Sequence, residues 1–252
     1  MSDYNTNPAT RYGSRARTQV AVDEGLRAYM LRVYNYMALG LAITGAAALA
    51  TFTMAVDRSG ATYKLTAFGT LIYQSPLKWV VIFAPLAFVL ILSFGIQKLS
   101  VATAQLLFWV YAATVGLSLS VIFLVYTGQS IVQVFFITAA TFGALSLYGY
   151  TTKRDLSAMG AFLIMGLFGI IIASIVNIFI GSSMVQWIIS VVGVFVFAGL
   201  TAWDTQRIKE MYLEADDSET AGRKAVMGAL ALYLDFINLF MMLLQLFGGR
   251  RD

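Results

Sequence analysis

AVMGALALYLDFINLFMMLLQLFG, residues 225–248, holds one charged side chain, Asp235, in an otherwise apolar or uncharged run. A helix rises about 1.5 Å per residue, so about 20 such residues cross a ~30 Å hydrocarbon core. The run does not alternate in polarity, as a barrel strand does. A helix also satisfies every backbone group within its own segment, which hydrocarbon demands. Six further runs read the same way: roughly 33–56, 79–97, 106–126, 131–150, 158–181 and 184–203. The expected fold is an all-α polytopic membrane protein with seven transmembrane helices. Composition agrees: 59% of the 252 residues are apolar and 12% are charged, about half the charged share of a soluble domain.

Residues 1–29 are polar and are expected to form a disordered cytoplasmic tail, leaving 30–252 as one seven-helix domain. The first apolar run is too long for a signal peptide and reads as a retained helix. Pro85 is expected to kink the second span. The segments 205–224 and 57–78 read as the longest loops. With the N-terminus cytoplasmic, twelve Lys and Arg fall inside and five outside. The positive-inside rule favours that orientation and places the C-terminus outside. Arg250 and Arg251 then lie on the wrong side, so a re-entrant last segment stands as the alternative.

The chain has neither cysteine nor histidine. Disulfides, thiol chemistry and imidazole catalysis are therefore excluded. There is no Walker loop, dinucleotide-binding glycine motif or zinc-ligand spacing. No cofactor is expected, and the net charge of +4 follows from topology rather than from a nucleic-acid partner. The partners expected from composition are lipids.

Charges inside spans are costly and mark functional positions. Asp235 is the only one within the seven runs. Its helical face carries Gly228, Ala231 and Asn238, small or polar residues suited to close helix packing. The last helix is therefore expected at the centre of the bundle. Asp204 closes the sixth run and falls inside that helix if it continues to about Tyr212. Two readings of Asp204 stand: a carboxyl meeting Asp235, or an ion pair with Arg207 at the membrane edge. The alternative reading of Asp235 is a neutral acid bonded to Asn238 or a hydroxyl. If the two acids meet, they share a proton; ionised, they offer oxygens to a hard cation such as Ca²⁺. Lys98, at the inner end of the second span, is a candidate latch on a carboxylate or a snorkelling boundary lysine.

Two segments carry a family resemblance. Asp204-Thr205-Gln206-Arg207-Ile208 is similar to a D-T-Q-x-I signature, and Leu232-Tyr233-Leu234-Asp235-Phe236-Ile237-Asn238-Leu239-Phe240 to an L-Y-L-D-x-I-N-L-F signature. Both belong to the Bax inhibitor-1, or transmembrane Bax inhibitor motif, family. Leu31-Arg32-Val33-Tyr34 and Lys153-Arg154-Asp155-Leu156-Ser157 resemble its bacterial, YccA-like branch. The resemblance implies a seven-helix bundle in a bacterial inner membrane and a pH-sensitive calcium leak. Asp204 and Asp235 would be its pH sensor and gate, holding calcium transiently, with Gln206, Arg207 and Asn238 in support. Some relatives carry an arginine latch where Lys98 stands, and lysine lacks its bidentate fork. The bacterial branch is also linked to a membrane-bound ATP-dependent protease that it restrains, so a non-conducting regulator is the alternative function. No enzyme is expected. An intramembrane aspartyl protease needs G-x-G-D at its second aspartate, where this chain has Leu232-Tyr233-Leu234-Asp235, and a retinal protein needs a lysine in the last helix.

Overall fold

The computed structural model describes the backbone of residues 8–57 and 63–251, and the side chains of 24–57 and 63–251 apart from Phe94 and Gln97. The tail expected over 1–29 falls largely outside the described side chains. The chain runs α1 (Pro8–Ala55), a hairpin of β1 (Val56–Asp57) and β2 (Lys64–Leu65), α2 (Ala67–Tyr73), α3 (Leu77–Gly95), a 3₁₀ turn (Ile96–Lys98), α4 (Val101–Leu119), α5 (Ile122–Val125), α6 (Gly128–Thr151), α7 (Ser157–Ile180), α8 (Ser183–Glu210) and α9 (Ser218–Phe247). Six segments are long and apolar enough to span a bilayer: Glu24–Ala55, α4 with α5, α6, α7, α8 and α9. The pair α2 and α3, bent by 61°, makes a seventh when taken as one broken span.

The bend in that pair lies before Pro76, a break that the run boundaries in the sequence do not mark. Proline disfavours a helical residue ahead of it and has no N–H to give, and the chain breaks between Tyr73 and Leu77. The helix α3 continues through Pro85. The missing N–H of Pro85 frees the carbonyl of Val81, and the Ser118 hydroxyl of α4 donates to it.

The expected loop 205–224 is helical at both ends and shortens to 211–217. Asp217 caps α9 by accepting from the Thr220 N–H at 2.6 Å. Lys224, one turn further on, donates to the Met211 carbonyl at 2.9 Å and pairs with Asp216 at 2.6 Å. These bonds tie the α8–α9 turn to the first turns of α9.

The last helix is central. It packs on α8, α1, α6 and α4, and 61% of its most apolar stretch is buried, against 17–39% in the other five spans. The outer helix α7 packs on α8. Tyr233 of α9 is fully buried, with Phe108 and Tyr111 of α4 edge-on to its ring. Its hydroxyl meets Thr44 of α1 at 2.6 Å, and Thr44 also donates to the Ala112 carbonyl of α4. One side-chain pair thus joins three helices where water cannot.

The ends of α9 touch opposite ends of the bundle. Near its start, Arg223 reaches the Leu99 carbonyl between α3 and α4. Past its end, the N–H groups of Thr127 and Arg251 donate to the carbonyls of Gly249 and Val125, joining the chain end to the α5–α6 connection. Arg251 also lies over the ring of Tyr63 beside the hairpin. The last helix is therefore one unbroken helix that runs from one end of the bundle to the other, long enough to span a bilayer.

Candidate functional site: a carboxyl pair between α8 and α9

The short turn after α8 makes α8 and α9 antiparallel neighbours, and small residues set their register. A Cβ on Gly228 would press on Ile208, and one on Gly193 on Met242. Ser190 donates to Gln245 at 2.7 Å. Between these contacts the register brings the Asp204 carboxyl close to that of Asp235. Asp204 lies six residues before the end of α8, about 9 Å at the helical rise. Asp235 lies just past the midpoint of α9.

Asp235 is 5% exposed, and its Oδ2 has no hydrogen-bond partner among the described residues. Asp204 reaches outward as well: the Arg207 guanidinium lies 3.5 Å from its Oδ1 and 5.2 Å from the ring of Trp203. The Arg207 side chain is half exposed, so that ion pair is weak, about 0–1 kcal/mol. Asp204 thus pairs with Arg207, with the Asp235 carboxyl close by.

The remaining expected residues divide. Asn238 donates to the Leu234 carbonyl of its own helix at 2.8 Å. Gln206 is buried and turned to the α6–α7 connection: its amide donates to the Arg154 carbonyl and accepts from the Leu156 N–H, both at 2.8 Å. It closes the start of α7, whose own N-cap residue, Leu156, has no side chain for the task. Lys98 is exposed at the end of the 3₁₀ turn and forms no ion pair among the described residues. Among those residues no cluster of three acidic ligands exists, so the pair supplies at most two side chains to a cation.

Uncharged polar groups escaped the sequence reading. Thr205, next to Asp204, meets Ser146 of α6 at 2.9 Å, and Ser146 meets Tyr34 of α1 at 2.6 Å. Toward the other end of α8 and α9, Gln186 donates to Gln245 at 2.6 Å and accepts from Asn177 at 3.3 Å. Gln245, an amide within an apolar run, was the available signal for this second cluster.

The central helix, the carboxyl pair and both flanking signatures now meet in one structure. Residues 26–252 match the sequence model described as inhibitor of apoptosis-promoting Bax1. The chain belongs to the Bax inhibitor-1 family. It is 50% identical to a protein of Rickettsia prowazekii, RP147, over 91% of this chain and 93% of that one. It is 46% identical to the inner membrane protein YbhL of Escherichia coli, over 90% and 94%. A Caulobacter vibrioides protein matches at 45% over the full length of both.

Proposed function

We propose that this family member is a pH-sensitive cation leak, passing calcium, with the Asp204–Asp235 pair as sensor and gate. The observation that carries the reading is the nearness of two carboxyls on packed helices, one of them almost wholly buried. Two acids at hydrogen-bond contact in a medium of low dielectric hold one proton between them. Losing it leaves two adjacent negative charges, which must separate or take up a cation. Either response moves α8 against α9, turning a local charge change into a gate. Two carboxylates without a third acid suit transient calcium better than a resident ion.

YbhL is named for the inner membrane, and the same location, with a cytoplasmic N-terminus, fits this chain's charge asymmetry. The test is calcium flux into liposomes holding the purified protein, read from pH 5 to 8. Flux that changes with pH in wild type and not in Asp235→Asn supports the leak; no flux at any pH overturns it. A second reading, the non-conducting regulator of a membrane-bound protease expected for the YccA-like branch, draws support from the close packing around Asp235. Co-purification with such a protease, in the absence of flux, would favour it.

A further inference from the structure

We propose that the seam between α1 and α6 is a binding site for an anionic phospholipid of the leaflet at the Arg27 end of the bundle. These helices face each other without close packing. A cavity of about 600 Å³ opens between them in the half nearer the α8–α9 turn, and one of about 270 Å³ opens in the other half. The Tyr34–Ser146 hydroxyl contact bridges the gap, and Phe236 and Phe240 of α9 line the second cavity.

The walls of the first cavity specify its occupant. Arg27 and Tyr150 line one end, Met37, Phe142 and Gly143 the other, and no carboxylate lines it. Among the described residues Arg27 makes no ion pair. A second cation stands at the same rim: Lys209 donates to the Tyr150 carbonyl at 2.8 Å, its ammonium 5.5 Å from the Tyr150 ring. Arg27 and Met37 are ten residues apart on one helix, about 15 Å at the helical rise, the depth of one leaflet of a ~30 Å core. A positive rim over an apolar slot one leaflet deep is complementary to a phosphate headgroup with an acyl chain beneath it.

Gly143 supplies the test. A Cβ there meets nothing within 4 Å, and the same holds at Gly45 in the second cavity. Gly143→Leu therefore enters the first slot with an unhindered Cβ, and Gly45→Leu is the matched control. The measurement is native mass spectrometry of the detergent-purified full chain with added phosphatidylglycerol or phosphatidylcholine. Wild type and Gly45→Leu are expected to retain phosphatidylglycerol over phosphatidylcholine. Arg27→Gln should weaken that retention about fivefold, the contribution of one basic side chain at a membrane surface, and leave phosphatidylcholine unchanged. Gly143→Leu should abolish retention of both while eluting as a monodisperse species. Equal retention of the two lipids by wild type overturns the site, as does phosphatidylglycerol retention that survives both Arg27→Gln and Gly143→Leu. Displacement of phosphatidylglycerol by equimolar palmitate overturns the phospholipid in favour of a free carboxylate.

Discussion

The buried Oδ2 of Asp235 has no partner among the described residues, and an unpaired buried acceptor of this kind costs about 1–3 kcal/mol. A side chain of the same shape with one donor is therefore expected to fold at least as well. Asp235→Asn should match wild type in expression and in detergent melting temperature while losing the pH dependence of flux; a melt lowered by many degrees would show that the carboxyl serves structure instead. Lys98 leads to a different expectation. Its ammonium is exposed and unpaired among the described residues, so Lys98→Ala should leave neutral-pH flux within about twofold of wild type, the limit for surface changes. A large rise in flux would restore the latch. The acid in the last span was legible in the sequence because a lone charge in hydrocarbon is conspicuous. The hydroxyls of Thr205, Ser146 and Tyr34 were not, because residues of this polarity occur on helix faces of every kind, and only the fold shows which of them meet.

At the scale of helices, α6 and α8 approach most closely at Gly149, where a Cβ would collide with the Ala202 carbonyl. Gly149→Val should force the helices apart and cost about 1–3 kcal/mol, as overpacking does; thermal unfolding in detergent measures it, and an unchanged midpoint would deny the close approach. The cap of α9 makes a pH-dependent prediction. Bonds from the Thr220 side chain and N–H hold the Asp217 carboxyl below its ordinary pKa. Its contribution is then fully present above the ordinary carboxylate range and lost as pH falls through the depressed value. Asp217→Ala should melt earlier than wild type at pH 7, and the gap should close in acid; a gap independent of pH would remove the charge from the account. Six of the spans and their order were legible because apolar run length alone specifies them. The break before Pro76 was not, because α2 carries Thr, Gly and Tyr among its apolar residues and reads as loop. The extension of α9 back to Ser218 was hidden by polar residues that helix outside hydrocarbon accommodates freely.

Across the whole molecule, the crossings leave the start of α1 and the end of α9 at opposite faces, with the α8–α9 turn on the α1 side. The chain has no cysteine, so single cysteines at Ser218 and at Asp252 report their sides cleanly. Impermeant thiol labelling of intact cells should reach position 252 and not 218, and equal labelling would contradict the seven crossings. The centrality of α9 followed from its small and polar face in the sequence. The α1–α6 seam did not, because a gap between helices is a property of packing rather than of either run. If Asp204 and Asp235 act as one titrating unit, their responses to substitution are coupled. Calcium flux into liposomes from pH 5 to 8, for wild type, Asp204→Asn, Asp235→Asn and the double variant, decides it. Each single substitution should flatten the pH profile and the double should add little, since residues acting as a unit are non-additive; independent, additive effects, or a wild-type profile surviving in either single variant, would contradict the coupled pair.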